Sequence, residues 1–417
     1  MSAGRLIVIG GGISGIFAAC LAAKKGYDTT ILSYGQGALA VAGGIIDIFG
    51  YDDRGVLVTN PYEHIKKLPK THPYSKIGAD NVALAVDAFK ALCAESGFEY
   101  YGDIRKNQFV PTAIGSFKPS CLTPRTIDCD ALERAERICV VGFELLKDFY
   151  PEMIVENLRK YYEGKKEVTS CKVFLPLKSG IQYRDVTALD IARLLETKEG
   201  LLNVKQQLRK HAGFGCVFLL PPVLGEMPNY TVLDSLTSEL RTGFVEVSAI
   251  PPSVTGFRTD NMLIATAKRL GVDFIEKARV VDSIVEGGRC RAVITQGFDR
   301  RREYPADHFI LATGGVFGGG LKATMGAMEE PIFHIKIDVP HDQQEWSYQY
   351  LFTGKPQMFA TYGVEVNDSL NPVDASGRVI AENVSVVGRC LGGYDFCFEK
   401  SGNGVAIASA FHAVSRL

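Results

Sequence analysis

Arg5-Leu-Ile-Val-Ile-Gly-Gly-Gly-Ile-Ser-Gly-Ile-Phe-Ala-Ala-Cys-Leu-Ala-Ala-Lys-Lys-Gly26 is the stretch whose reading decides the fold. Leu6 to Ile9 is a short, β-branched apolar run, which predicts a buried parallel strand rather than a helix. Gly10, Gly12 and Gly15 follow in G-x-G-x-x-G spacing. The first glycine permits a tight turn, the second lets a phosphate approach the backbone, and the third lets the next helix pack against the strand. That helix continues through Ile16, Ala18, Ala19, Leu21 and Ala22, with Gly26 as its stop. Its first turn, at Ile13 and Ser14, offers free N–H groups and the positive end of its dipole to an anion. A glycine-rich turn alone is a weak signal. The strand before it and the helix after it select the nucleotide-binding reading.

Working outward, Tyr27 to Ser33 reads as the second strand of a βαβ unit. Dinucleotide sites usually carry Asp or Glu at the end of this strand to bond the adenosine ribose, yet here the chain reads Ser33-Tyr34-Gly35-Gln36. A phosphate turn without the ribose carboxylate suits a mononucleotide such as FMN better than FAD or NAD. The alternative is FAD, with Ser33 or Gln36 taking the ribose. From Gly35 to Ile48 the residues are small, and Ala42, Gly43 and Gly44 form a segment whose backbone is expected to approach a flat ring.

Composition sets bounds. The chain has 417 residues, 46% of them hydrophobic, enough for two domains with substantial cores. The formal net charge of −1 gives no overall basic field for nucleic acid or an anionic membrane. No apolar run reaches the length of a membrane span, and the one at Cys216 to Leu220 stops at Pro221-Pro222. The first strand begins so early that no cleaved signal peptide is expected. Ten cysteines occur without a C-x-x-C pair, which predicts no metal or iron–sulfur cluster held by this chain and a reducing, cytoplasmic setting.

Along the chain, Pro61 to Gly97 reads as helical, with Asp80 as N-cap of a helix over Asn81 to Glu95. A separate α/β unit begins near Arg137: Ile138 to Gly142 as a strand and glycine turn, Leu145 to Tyr162 as a helix, and Val168 to Leu175 as the next strand. One glycine after the strand is too few for a second phosphate site. Thr187 to Leu195 reads as an amphipathic helix and Cys216 to Leu220 as a strand, and Val245 to Ile250 leads to Pro251-Pro252. The first unit resumes near Phe257, with a helix over Asn261 to Leu270. A meander over Arg279 to Glu286, Arg289 to Gln296 and Glu303 to Tyr304 follows, and then a buried strand ending in Thr313-Gly314-Gly315. The predicted fold class is α/β, a Rossmann-like two-dinucleotide-binding-domain flavoprotein with an inserted α/β domain. Residues 1–100, 257–330 and 375–417 form the flavin-binding part, 101–256 the inserted cap or partner domain, and 331–374 a connecting segment.

The last segment supplies the third anchor. Asn383 to Gly388 reads as a strand ending in glycine. Ser401-Gly402-Asn403-Gly404-Val405 opens a helix of small residues whose dipole favours negative charge at the pyrimidine end of a reduced flavin.

Two resemblances extend these readings. Ala42-Gly43-Gly44-Ile45 is similar to a segment of the succinate dehydrogenase, fumarate reductase and aspartate oxidase group. From end to end the chain resembles the B subunit of anaerobic glycerol-3-phosphate dehydrogenase. The matching residues are Gly35-Gln36, Ala38-Leu39, His72-Pro-Tyr-Ser75 with Gly78, Ile138 to Gly142 with Asp148-Phe149, Pro251 to Val254 with Gly256 and Arg258, and Leu391 to Asp395. The resemblance implies an FMN-bearing subunit beside an FAD-bearing catalytic subunit and an iron–sulfur subunit. Together these would oxidise sn-glycerol 3-phosphate to dihydroxyacetone phosphate and pass electrons towards a quinone. It also implies a cytoplasmic protein, or one peripheral at the inner membrane face through its partners. Glu399-Lys400-Ser401 departs from the cysteine and extra glycines expected ahead of the last helix, and Lys400 would bring a cation near the flavin.

Three functions compete. The first is an FMN electron-transfer subunit. The second is a self-contained FAD oxidoreductase of the fumarate reductase or aspartate oxidase type, with Arg258 as the candidate anion binder and His334 or His341 behind it. The third is a scaffold without cofactor. No residue is singled out as a general base.

Overall fold

The computed structural model describes residues 3–175, 186–297, 300–350 and 357–417; the remaining parts of the expected domain ranges lie outside the described residues. The chain begins with strand β1 (Arg5–Ile9), helix α1 (Ile13–Lys24) and strand β2 (Asp28–Leu32). Helix α2 spans Ala79–Glu95 and helix α3 Val254–Arg269. Strands β3 (Asp273–Ile275), β4 (His308–Leu311) and β5 (Val384–Val386) complete the central sheet, and helices α4 (Phe396–Glu399) and α5 (Gly402–Ser415) end the chain. The sheet order is β3-β2-β1-β4-β5 and every pairing is parallel.

This order follows from the sequence of β1. Leu6, Ile7, Val8 and Ile9 are at most 2% exposed because helices cover both faces of the sheet. Each such side chain contributes roughly 1.5–3 kcal/mol of burial. The small residues of α1 and α5 let these two helices pack closely together on the sheet. All five strands run the same way, so their carboxyl ends open on one edge, where a parallel sheet of this kind places its ligands.

A second sheet is built from Arg137–Phe143, Glu167–Val173, Cys216–Leu220 and Gly243–Glu246, again all parallel. Ile138, Val140, Val217, Leu219 and Val245 form its core with Ile154 and Leu158. The meander Val280–Glu286, Arg289–Gln296 and Arg301–Pro305 is antiparallel and stands beside the main sheet.

Several expectations are corrected. Asp80 is not an N-cap: Gly78 holds that position, and Asp80 accepts from the Tyr62 hydroxyl at 2.6 Å. The helix expected over Leu145 to Tyr162 begins only at Pro151, because proline suits a first helical turn and disfavours helix before it. Gly142 lies inside its strand, not in a turn, and a Cβ there would meet Pro151 Cγ at 2.5 Å. Helix α3 starts seven residues ahead of Asn261, since its first two turns bury Thr255, Arg258, Thr259 and Asp260 rather than an apolar stripe. Residues 331–374 are more than a connection: Ile335–Ile337 pairs with Ala327–Glu330.

Arg258 is the largest of the buried polar side chains of α3. It is 0% exposed, and its Nη2 donates to both carboxylate oxygens of Glu246, at 2.7 and 2.6 Å. Glu246 also accepts from the Leu224 amide at 2.8 Å. The pair therefore ties α3 to the second sheet, and the anion Arg258 binds is internal. Glu246→Ala would leave a buried guanidinium charge unpaired, at a cost of about 3–5 kcal/mol. The expected outcome is a matching fall in urea-unfolding free energy; a loss under about 1 kcal/mol would show that the pair is not what joins these elements.

Candidate functional site

The carboxyl ends of β1, β2 and β4 open into a cleft of about 940 Å³. Its floor is the turn after β1. Gly10 has φ +119°, donates its amide to the Leu32 carbonyl at 2.9 Å, and has no room for a side chain, because a Cβ would stand 2.2 Å from the Ala312 oxygen. Gly15 allows the equally close approach of α1, as a Cβ there would fall 2.0 Å from the Gly10 oxygen. Gly12 is the N-cap of α1, without a side-chain cap and without an acidic residue in the first turn. The dipole and amides of that turn therefore face the cleft uncompensated, an arrangement that suits an anion.

At the end of β2, Ser33 is buried and its hydroxyl donates to the Gly35 carbonyl at 2.8 Å. Gln36 lines the same wall, and the Arg279 guanidinium lies 5.5 Å over the Tyr34 ring. The opposite wall is Thr313, Gly314 and Gly315, followed by Val316 and Phe317. Cys390 stands behind it, with its thiol 3.1 Å from Thr313 Oγ1 and 3.0 Å from the Gly314 carbonyl. Burial pushes that thiol up to about 11, so it packs as a neutral group.

The third wall comes from the chain end. Arg389 donates to the Ala360 carbonyl at 2.6 Å and lies 4.2 Å over the Phe396 ring, while its Nη1 is buried without a partner. Gly402, Asn403 and Ala406 of α5 complete the lining. Asn403 reaches past the cleft to donate to the Ile45 carbonyl at 2.9 Å. Helix α5, like α1, has no side-chain cap and no acid in its first turn.

Of the residues singled out from the sequence, Gly10, Gly12, Ile13, Ser14, Ser33, Gln36, Thr313, Gly314, Gly402 and Asn403 line the cleft. Gly15, Gly388, Ser401, Gly404 and Val405 stand just behind the lining. A Cβ on Gly388 would meet Ser14 Oγ at 2.5 Å, and Gly404 donates its amide to the Asp47 carbonyl. Ala42, Gly43 and Gly44 do not reach the lining. A Cβ on Gly44 would stand 2.6 Å from the Thr255 backbone, so this loop is pressed against α3 instead.

Arg258 is buried in its ion pair and does not line the cleft. His334 pairs with Asp282 at 3.1 Å, and His341 is exposed. Lys400 is turned outward, donating to the Cys397 carbonyl at 2.6 Å. The cations of the cleft are Arg279, Lys322 and Arg389, none of which the sequence singles out. Arg389 is within reach of sequence logic, since it follows the glycine at the end of a parallel strand. Among the described residues that line the cleft there is no Asp, Glu or His.

Glu330 borders the cleft residues Pro331 and Ile332. It is 0% exposed and accepts the amides of Ile332 and Phe333, and burial pushes its carboxyl up to about 7.

The FAD binding domain family matches residues 5–405 of the chain. A probable B subunit of anaerobic glycerol-3-phosphate dehydrogenase from Halobacterium salinarum is 32% identical over 419 residues, covering 98% of this chain and 96% of that protein. The B subunit of the anaerobic glycerol-3-phosphate dehydrogenase of Vibrio cholerae serotype O1 is 29% identical over 420 residues, covering 98% and 95%. Among solved structures, the 3-ketosteroid delta1-dehydrogenase from Sterolibacterium denitrificans overlaps with 99% of each chain at 10% identity and a TM-score of 0.46.

Two outcomes test this geometry. A Cβ at Gly12 has no protein atom nearer than Gly37 Cα at 3.9 Å, so Gly12→Val should fold and project into the cleft. The variant is expected to keep its thermal midpoint as apoprotein and to purify without flavin; stoichiometric flavin in it would defeat the placement. For Glu330, the folded-state value lies above the ordinary 4.5. The folded chain then binds more protons than the unfolded one, and stability falls as pH rises between about 4.5 and about 7. Glu330→Gln should remove that part of the slope, giving a larger gain in thermal midpoint at about pH 8 than at about pH 5.

Proposed function

The chain belongs to the FAD binding domain family and, within it, to the anaerobic glycerol-3-phosphate dehydrogenase B subunits, and from that premise we propose that it is an electron-relay subunit carrying FMN. It is a flavin-dependent oxidoreductase, a flavoprotein subunit of that dehydrogenase. In the proposed reading, the complex oxidises sn-glycerol 3-phosphate to dihydroxyacetone phosphate with electrons passed towards a quinone. An FAD-bearing catalytic subunit and an iron–sulfur subunit stand beside this chain.

The cleft fits a phosphate-bearing flavin. Uncapped turns at α1 and α5 offer amides at two places, Gly10 and Gly12 open the backbone to a phosphate, and the buried Nη1 of Arg389 lacks an acceptor. Bound flavin would supply the ability to take up and release electrons. The chain's own residues would then hold its phosphate at α1, flank its ring with Thr313 to Gly315, and offer it the first-turn amides of α5.

The observation that carries the relay reading is the lining itself. Oxidation of an alcohol needs a group to take the hydroxyl proton, and the described lining contains three cations but no carboxylate or imidazole. The self-contained FAD reading needs an arginine and a histidine over the ring. Arg258, His334 and His341 all lie outside the lining. FMN is favoured over FAD by the end of β2, where the one buried hydroxyl is already donated to Gly35 and no carboxylate awaits a ribose. Arg279 beside it suits the charge of a terminal phosphate. In favour of FAD stand the family's description and a cleft that continues past the turn to Tyr34.

The test is extraction of the flavin from the purified chain. FMN is the expected result, FAD would favour the self-contained oxidoreductase, and absence of flavin would leave a scaffold. The isolated chain should also show no glycerol 3-phosphate oxidation with an artificial acceptor; full activity without partners would overturn the relay role.

A further inference from the structure

Ser401 stands at the N-cap of α5, a position where serine is among the best capping residues, yet it does not cap. Its backbone lies at φ −126° and ψ −3°, outside the extended region that capping residues adopt, and its side chain accepts nothing from the first turn. The hydroxyl instead donates to Glu399 Oε2 at 2.9 Å. That same oxygen lies 3.2 Å from Nε2 of His72, a histidine only 2% exposed. Nδ1 of His72 accepts the Tyr74 amide at 3.0 Å. A neutral imidazole so placed carries its proton on Nε2 and donates it to Glu399. Glu399 is also held by a long bond from the Asp395 amide at 3.4 Å, by its own amide, which donates to the Asp395 carbonyl at 3.0 Å, and by its carbonyl, which accepts the amides of Gly50 and Tyr51.

The consequence falls on the leading amides of α5. Gly404 donates to the Asp47 carbonyl at 3.0 Å, and Val405 donates to the Ser401 carbonyl at 2.8 Å. Gly402 and Asn403, the residues that line the cleft, are left without a cap. We propose that His72 and Glu399 are positioning residues: they hold the Ser401 hydroxyl away from the helix terminus, so that the amide of Asn403, the second of the helix, stays available to an acceptor atom of the bound flavin. This rests on the reading that flavin occupies the cleft, and not on whether it is FMN or FAD.

The full chain, stripped of flavin, is titrated with FMN and separately with FAD, following the quenching of flavin fluorescence. Glu399→Ala frees Ser401 to cap and is expected to weaken the preferred flavin about fivefold, the worth of one N-cap bond. Ser401→Ala should bind as the unsubstituted chain does. Combining the two should restore affinity to within about twofold, because the competing hydroxyl is gone. Glu399→Gln keeps an acceptor for Ser401 and should retain affinity. A combined variant as weak as Glu399→Ala, a Ser401→Ala variant equally weak, or a Glu399→Gln variant as weak as Glu399→Ala overturns the proposal. Flavin bound with equal affinity in all variants refutes the positioning role alone. No binding of either flavin to the unsubstituted chain removes the flavin assignment, and the positioning role with it.

Discussion

The amide of Gly10 donating to the carbonyl of Leu32, with β1 held between β2 and β4, is the contact on which the rest of the molecule depends. It fixes a turn in which backbone meets backbone. Ala312 lies against Gly10, Gly10 against Gly15, and Gly12 against Gly37, each at a distance that a Cβ would violate from at least one side. With side chains excluded, the floor of the cleft is made of peptide groups and the bare end of α1. A peptide floor is polar without being acidic or basic, which suits an anionic ligand group.

Around that floor the chain places positive charge and apolar rings but no described carboxylate. Buried acidity is kept one layer back. Glu330 accepts two amides behind Pro331 and Ile332, Glu246 is neutralised by Arg258, and Glu399 is held between His72 and Ser401. Of these carboxylates only Glu330 holds the backbone of a lining residue, through the Ile332 amide, and none of the three lines the cleft itself. Electrostatically the site can hold a phosphate and stabilise negative charge on a ring, and its described lining carries no carboxylate or imidazole.

The second sheet shapes the site indirectly. It clamps α3 through Glu246 and Arg258, and α3 in turn receives the loop that follows the turn beyond β2. The Ser253 amide donates to Val41, and Gly256 is bare because a Cβ there would stand 2.0 Å from the Ala42 oxygen. The glycine at 44 is therefore needed for packing against a helix, while a Cβ on Gly43 would meet the Ser248 hydroxyl at 3.2 Å. Their smallness alone is equally compatible with ring contacts, since small residues serve close packing and close ligand approach alike.

Sequence by itself determined the elements whose cause is local. The turn at Gly10 to Gly15 and the buried run of β1 follow from apolar periodicity and glycine spacing. So do the meander and the small-residue start of α5. The end of β2 without a carboxylate was equally legible, because it is a matter of residue type. What the tertiary structure decided depends on how each side chain is packed and paired. Arg258 is 12 residues from Glu246, but only packing of α3 on the second sheet makes it an internal ion instead of a ligand group. Arg389 reaches the cleft because its guanidinium stacks on Phe396. Lys400 is kept away because its backbone takes a left-handed turn, φ +54°, that aims the side chain at Cys397. A charged side chain's role is set by where its head group is desolvated and paired, and no spacing along the chain encodes that.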